Sequence, residues 1–326
     1  MRDIAYQRAT TIDEAVRAGI QPEAAFLAGG TSLVDLMKLE VLNPARIVDV
    51  SRLDLSRIDA APDGIRLGAT ATNAAVADHP DVKRRFPALS EALLSGASPQ
   101  LRNVATVAGN LMQRTRCAYY RDLAARCNKR DPGAGCDALQ GWTRMHAVLG
   151  GSDHCIATHP SDMCVALAAL DATIQVRGPR GERDIPFGEF HVLPGDHPER
   201  EFALGPGELV TSVFLPATPA AATSRYVKVR DRLSYAFALA SCAAGLEIAN
   251  GRIRAVRIAL GGVATKPWRS VEAERALVGE APRADAFRAA AAVAVRDAHT
   301  RRDNAFKVEL AKRTIVRALT LCSEGV

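Results

Sequence analysis

The stretch from Arg114 to Cys136, RTRCAYYRDLAARCNKRDPGAGC, restricts the fold of this chain more than any other feature. It carries three cysteines and almost no aliphatic residues, and a fourth cysteine follows soon after. The four thiols, Cys117, Cys127, Cys136 and Cys155, have the spacing C-x9-C-x8-C-x18-C, which is neither paired CxxC nor the short ferredoxin run. A segment with so little to bury needs another source of order, and a metal centre supplies it by cross-linking a loop through thiolates. We therefore predict that these four cysteines are metal ligands.

Charge alone does not choose the metal. Between Gln113 and Thr143, six cations face three aspartates. The cations are Arg114, Arg116, Arg121, Arg126, Lys129 and Arg130, and the aspartates are Asp122, Asp131 and Asp137. Four thiolates leave a net negative centre around either a [4Fe–4S] cluster or a single zinc ion, so these residues by themselves leave the two close to even. Any of the nearby residues His146, His154 and His159 could replace a cysteine ligand, but four thiols already complete a site. We therefore interpret these histidines as structural or surface residues, with His159 packing near a cofactor.

The remaining composition excludes several classes of protein. The seven cysteines are odd in number and clustered, which argues against a disulfide framework, and we expect Cys164, Cys242 and Cys322 to be core thiols. The net charge of +6 permits an anionic ligand, but no Lys/Arg block alternates with aromatics, so no nucleic-acid partner is expected. No apolar run approaches a bilayer span, so no membrane insertion is expected. The N-terminus lacks a secretory core, so we expect export only on a signal-bearing partner, or a cytoplasmic location.

The pattern of apolar residues predicts an α+β chain. Residues 1–57 read strand, helix, strand, helix, strand, with a capping box at Thr11-Ile-Asp-Glu14 opening the first helix. Residues 58–216 form a second α/β unit that contains the cysteine-rich insertion at about 113–156. After a Pro/Ala-rich linker, residues 223–326 predict an α+β domain with a three-stranded antiparallel sheet followed by helices.

Two turns of small residues are candidate sites for an anionic ligand. Gly29 and Gly30 lie between a strand and a helix, and Thr31 and Ser32 offer hydroxyls and N–H groups at the start of that helix. The segment ATVAGNL has similar chemistry. Neither turn matches GxGxxG or a Walker loop, and each alone is typical of a tight turn. Together they suggest an extended ligand such as FAD.

Four motifs stand in a fixed order: AGGTSLVDLM, SGASPQLRNVATVAGNL, HPSDM and YVKVRDRLSYAFALAS. This set resembles the FAD-binding medium subunit of the molybdenum hydroxylases, the family of xanthine dehydrogenases and aldehyde oxidoreductases, over essentially the whole chain. The cysteine insertion resembles that of the bacterial periplasmic aldehyde oxidoreductases, whose medium subunit holds a [4Fe–4S] cluster beside its flavin. The resemblance implies a PCMH-type FAD-binding domain of two α/β subdomains, and it favours iron–sulfur over zinc.

The resemblance also implies the residues that bind FAD. A first loop would wrap the pyrophosphate, and it consists of Ala25, Phe26, Leu27, Ala28, Gly29, Gly30, Thr31, Ser32 and Leu33. Thr106, Gly109 and Asn110 match the second flavin loop, and Thr115 lies where the insertion leaves it. Asp162 matches an acidic residue near the ribose or adenine, although it could merely cap the next helix. Lys228 matches a basic residue near the flavin ring, although it could be a solvated strand residue.

By the same resemblance, the chain is an electron-transfer subunit without catalytic residues of its own. A large molybdenum-cofactor subunit would oxidise an aldehyde or N-heterocycle, and a small [2Fe–2S] subunit would pass the electrons to FAD and so to an external acceptor. The alternative is a stand-alone FAD-dependent oxidase or dehydrogenase, for which the C-terminal domain offers Tyr226 and Tyr235 but no histidine or carboxylate pair. A zinc-stapled nucleic-acid-binding protein is a third hypothesis, and it predicts a colourless protein.

Overall fold

The computed structural model describes residues 3–324, which begin with a small parallel sheet. This unit contains β1 (Ala5–Arg8), α1 (Ile12–Gly19), β2 (Ala24–Leu27), α2 (Leu33–Lys38) and β3 (Arg46–Asp49), with strand order β1-β3-β2. The predicted cap at Thr11 is present, because its hydroxyl accepts a hydrogen bond from the Glu14 amide. The Glu14 carboxylate reaches back to the amide of Thr10 instead of that of the cap. The first predicted α/β unit is therefore formed as its sequence pattern indicates.

The second unit is a five-stranded antiparallel sheet with helices packed on it. Its strands are β4 (Ile58–Ala61), β5 (Gly64–Gly68), β6 (Thr173–Gly178), β7 (Gly181–Pro186) and β8 (Leu209–Pro216), in the order β4-β5-β8-β6-β7. Its helices are α3 (Asn73–Asp78), α4 (Pro80–Arg85), α5 (Pro87–Ser95), α6 (Pro99–Arg102), α7 (Val107–Leu111), α8 (Ala118–Arg121), α9 (Asp162–Ala169) and α10 (Phe187–Phe190), and Asp137–Leu139 is a short 3-10 turn.

The third unit is an antiparallel sheet covered by helices. It contains α11 (Pro219–Ala222), β9 (Arg225–Val229), β10 (Ala240–Ala249), β11 (Arg252–Gly261), β12 (Trp268–Arg269), α12 (Val271–Leu277), α13 (Ala284–Ala294) and α14 (Phe306–Glu324). The three predicted strands are β9, β10 and β11, and the structure adds β12 as a two-residue fourth strand. The Pro/Ala-rich stretch is not an extended linker, because α11 buries Ala220 and Ala221 there.

Helix α9 joins the second and third units. All eight of its residues are buried, because one side packs on α5 and the other on β10 and β11. A helix that is covered on all sides needs no polar face, which explains the uniformly apolar run after its first residue. Asp162, that first residue, is thereby held at the boundary between the two units.

The cysteine segment, residues 113–156, has little regular structure beyond α8 and the 3-10 turn. Ion pairs fix it to its surroundings: Arg116 and Arg121 bind Asp35 of α2, and Arg114 and Lys129 bind Glu201. No helix among residues 3–324 is long and apolar enough to cross a bilayer.

Candidate functional site: two glycine corners and a cysteine cluster

The first corner joins β2 to α2 and lies against the backbone of the second. A Cβ on Gly29 would stand 2.0 Å from the carbonyl oxygen of Val104, so only glycine fits there. Gly30 has a φ of +71°, in the left-handed region that glycine adopts without a steric penalty. The glycines therefore serve a close approach of two backbones, which brings the two predicted loops side by side.

The second corner is the turn that starts α7. The Thr106 hydroxyl caps this helix by accepting a hydrogen bond from the Gly109 amide at 3.2 Å. The side-chain oxygen of Asn110 accepts from the Ser161 hydroxyl at 2.7 Å, which ties the turn to the start of α9. Local caps and small residues thus hold both corners open toward the same space.

That space is a cavity of about 670 Å³, which we call the corner cavity. Thr31, Ser32, Gly109 and Asn110 line it from the two corners. Five cationic and two acidic side chains also line it, namely Arg102, Arg116, Arg121, Lys228 and Arg232 with Asp35 and Asp162. The volume is within the usual range for a cofactor site, and the excess of positive charge suits an anionic ligand.

A buried ion pair closes one wall of the corner cavity. The Nζ of Lys228 lies 2.8 Å from Asp162 Oδ2, with side chains 4% and 9% exposed. The other carboxylate oxygen of Asp162 accepts from the Tyr226 hydroxyl at 2.5 Å. Burial raises the pKa of Tyr226, so its proton stays on the hydroxyl to donate this bond. Because Ser161 caps α9 through its hydroxyl, Asp162 is left to pair with Lys228 across the unit boundary.

Several residues of the predicted FAD set lie outside the lining of the corner cavity. Ala25, Phe26 and Leu27 belong to β2 and pack beneath the first corner. Thr115 does not line the corner cavity: its hydroxyl donates to the Thr158 carbonyl and accepts from the Cys117 amide. It therefore braces the start of the cysteine segment. Lys228 is almost fully buried, so it is not a solvated strand residue.

The structure brings three of the four cysteines together around Asn128. This buried side chain follows Cys127, accepts from the Gly135 amide at 2.7 Å and donates to the His154 carbonyl at 3.2 Å. Those two partners directly precede Cys136 and Cys155. Cys127 and Cys136 also form an isolated antiparallel bridge. One asparagine thus fixes the three cysteines in register.

The fourth cysteine joins the same group, which we call the cysteine cluster. Burial raises the pKa of the Cys117 thiol to about 12, and the nearby sulfurs of Cys155 and Cys127 raise it further. Burial raises the pKa of the Cys155 thiol to about 11, while the nearby Lys129 ammonium lowers it. Backbone N–H groups of Tyr119 and Tyr120 approach the Cys117 sulfur. Buried sulfurs surrounded by N–H donors suit thiolates that are bound to a metal.

The distances between the cysteine sulfurs can be compared with those of a closed zinc site. Among residues 3–324, the one group of three or more such ligand atoms within 4.8 Å of one another is His159, Cys164 and His191. No three of the four cysteine-cluster sulfurs are that close. A tetrahedral zinc with Zn–S bonds of about 2.3 Å would need its sulfurs about 3.8 Å apart. The four sulfurs are therefore more widely spaced than in a closed tetrahedral zinc site.

Most of the cations in the cysteine segment have structural partners. Arg126 pairs with Asp137, and Arg130 donates to the carbonyls of Tyr119 and Tyr120. Lys129 is the cation whose charge acts most directly on a sulfur, that of Cys155. The arginine excess seen in the sequence is therefore mainly used to fold the segment.

His146, interpreted from the sequence as a structural or surface residue, is buried and contacts a cysteine. Its Nε2 lies 3.1 Å from the Cys117 sulfur, and the residue is 4% exposed. Burial and the nearby Lys307 ammonium lower its pKa to about 4, so the imidazole is neutral near pH 7. His159, expected near the cofactor, makes an edge-to-face contact with His191.

Sequence reasoning also missed Asn73. It lines the corner cavity, is 5% exposed, and its side-chain oxygen is buried without a hydrogen-bond partner. A buried polar atom of this kind is expected to bind a ligand or water. The unpaired oxygen, the cationic walls and the two backbone corners all fit FAD. No spacing rule links Asn73 to the glycine turns, so only the fold identifies it.

Comparisons with known proteins identify the family of the chain. The model for the FAD-binding domain of molybdopterin dehydrogenases matches residues 2–218, and the model for the C-terminal domain of CO dehydrogenase flavoproteins matches residues 225–321. The aldehyde oxidoreductase FAD-binding subunit PaoB of Escherichia coli K12 is 48% identical over 98% of both chains. The glyceraldehyde dehydrogenase medium chain of Sulfolobus acidocaldarius is 27% identical over 85% of this chain and 82% of its own.

Solved structures share the fold. A chain of the Cu,Mo-CO dehydrogenase superimposes with a TM-score of 0.77 at 23% identity, covering 100% of this chain and 99% of that one. The carbon monoxide dehydrogenase of Hydrogenophaga pseudoflava gives 0.77 at 25% identity, with 99% and 98% covered. The predicted fold class and the resemblance drawn from the four motifs are both confirmed. The chain belongs to the FAD-binding subunits of the molybdenum hydroxylases and is a flavin-binding subunit of an oxidoreductase complex.

Proposed function

We propose that this chain transfers electrons within a heterotrimeric, molybdenum-dependent oxidoreductase of the aldehyde oxidoreductase type. A large molybdenum-cofactor subunit oxidises the substrate, a small [2Fe–2S] subunit relays the electrons, and this chain passes them through FAD to an external acceptor. A [4Fe–4S] cluster on Cys117, Cys127, Cys136 and Cys155 is its second redox group. The relative at 48% identity, named as an aldehyde oxidoreductase FAD-binding subunit, supports this choice of activity.

The observation that carries the proposal is the contact between the two sites. Arg116 lines the corner cavity, and the next residue, Cys117, belongs to the cysteine cluster. A second cavity, of about 280 Å³, is lined by Cys117 on one side and by Asp162 and Phe237 on the other. Two redox groups held in these places would be neighbours, which electron transfer requires.

The residues of the chain bind, orient and shield the cofactors. FAD, when bound, supplies both one-electron and two-electron chemistry, which lets it connect different carriers. Thr31 and Ser32 offer hydroxyls and N–H groups to the pyrophosphate. Asn110 and Asn73 offer side-chain polar atoms, and the Asp162–Lys228 pair presents a fixed charge distribution at the wall of the cavity. Thr115 braces the cysteine segment beside the cavity.

Cofactor analysis of the purified complex tests the proposal. The complex should contain one FAD, four iron and four sulfide per copy of this chain beyond those of the partner subunits, and no zinc on the cysteine cluster. The chain expressed alone should bind FAD and iron yet oxidise no aldehyde. Zinc in place of iron would overturn the cluster assignment. Aldehyde turnover by the isolated chain would instead support the stand-alone flavoenzyme.

A further inference from the structure

The contact between His146 and Cys117 assigns a role to a residue outside the predicted site. The His146 Nε2 is 3.1 Å from the Cys117 sulfur, which is hydrogen-bond distance for a sulfur acceptor. This imidazole is thus the side-chain neighbour of one sulfur of the cysteine cluster. The residue is 4% exposed, so the imidazole is largely shielded from bulk solvent.

The C-terminal domain holds His146 in place. The side-chain amide of Asn304 donates to the His146 and Ala147 carbonyls at 3.4 and 3.3 Å. The carboxylate of Asp303 accepts from the Thr143 amide at 3.0 Å. These residues precede α14, so the loop that carries the imidazole is anchored to a separate folding unit. The backbone of this loop is therefore held by contacts that do not involve the cysteines.

The direction of the hydrogen bond follows from the acceptor. A thiolate bound to iron has no proton and can only accept a hydrogen bond. The Nε2 atom that faces such a sulfur at 3.1 Å must therefore carry the proton for the contact to be attractive. The Thr143 carbonyl is another polar group that acts on this ring.

We propose that His146 is a positioning residue that donates Nε2–H to the Cys117 sulfur and raises the reduction potential of the cluster. The inference rests on the proposed [4Fe–4S] cluster. A donor to a cluster sulfur stabilises the more negative, reduced state, so it makes the cluster easier to reduce. Cys117 and His146 both line the second cavity, which is also lined by Asp162 of the corner cavity, so the effect acts on the side of the cluster that faces the corner cavity's wall.

The test is a reduction titration of the cluster, followed by electron paramagnetic resonance, in the full chain loaded with FAD, iron and sulfide. His146→Phe keeps a ring of similar size and removes the donor, whereas His146→Gln keeps an N–H donor. The matched control is His154→Phe, because that half-exposed imidazole neighbours Cys155 and pairs with Asp196 instead of a sulfur. We expect His146→Phe to disfavour reduction about tenfold, a shift of about 59 mV for one electron. His146→Gln should recover part of that shift, and His154→Phe should leave the potential unchanged.

Equal potentials in wild type and His146→Phe would overturn the inference while leaving the cluster in place. If His146→Phe fails to retain iron, the wild-type chain labelled with nitrogen-15 histidine decides. An exchangeable proton and a histidine nitrogen coupled to the reduced cluster would support the hydrogen bond, and their absence would refute it. A wild-type chain without iron would refute the proposed function itself, which is a separate outcome.

Discussion

The two glycine corners are built from backbone contacts, helix caps and small residues, whereas the cysteine segment is held by side chains that reach into other units. At the first corner, Gly29 lets two backbones touch, and at the second, Thr106 caps its own helix. In the cysteine segment, Asp35, Glu201 and Asp303 each supply a carboxylate from elsewhere in the chain. The corners can form as part of their sheets, but the cysteine segment depends on the finished fold and on what its sulfurs bind.

Cys127→Ser should give the largest effect and separate the two regions. The cysteine is buried beside Cys136, so a serine there removes one ligand from the proposed cluster. We expect nearly all iron and sulfide to be lost while FAD stays at one per chain, because the corners do not use this residue. Iron, sulfide and FAD analysis of the purified chain measures this.

Cys322→Ala is the matched control, because that thiol is equally buried but lies in α14. It should keep its iron. Unchanged iron content in Cys127→Ser would show that the cysteine cluster is not the iron site. Loss of FAD together with iron would show that FAD binding at the corners requires an ordered cysteine segment.

Asp162→Asn should produce the second largest effect, on the side of the corners. It would leave the buried Lys228 ammonium without its counter-charge, since the other contact of Nζ is the Ser95 carbonyl. Breaking such a pair costs about 3–5 kcal/mol. Urea unfolding should show a loss of that size, and FAD affinity should fall while iron content is retained.

Asp13→Asn removes a comparable ion pair with Arg177, in which the aspartate is 61% exposed. Its cost should not exceed about 1 kcal/mol. If the two variants had the same free energy of unfolding, the buried Asp162–Lys228 pair would contribute no more to stability than an exposed one.

Gly29→Ala tests whether the first corner depends on close backbone approach. The added Cβ would collide with the Val104 carbonyl, so the two corners would have to separate. We expect destabilisation of about 1–3 kcal/mol and weaker FAD binding. Gly188→Ala is the control, because a Cβ there meets nothing within 4 Å. Equal FAD affinity in both variants would contradict the role given to Gly29.

The same contrast explains how much the sequence could predict. The cap at Thr11 follows from a pattern within four residues, and it is present. The contact between Asp162 and Lys228 spans 66 residues, and that between Cys117 and His146 spans 29. No periodicity or spacing encodes such distances. The cysteines could be grouped because thiolates are strong metal ligands, whereas nothing local in the sequence points to the roles of Asn73 and His146.

Asp35→Asn should change stability and cofactor content least. Asp35 is the residue through which the two regions contact each other. Its carboxylate accepts from Arg116 at 3.0 Å and from Arg121 at 2.9 Å, linking the helix after the first corner to the start of the cysteine segment. The aspartate is 41% exposed, so the pair is screened by water and should contribute only about 0.2–1 kcal/mol to the free energy of unfolding. Iron and FAD contents should both stay near wild type. A loss of FAD and iron together, at little cost in stability, would mean that the corners and the cysteine segment are ordered as one site. In that case the corners, held by backbone contacts, and the cysteine segment, held by side-chain contacts, could not be treated as independent regions.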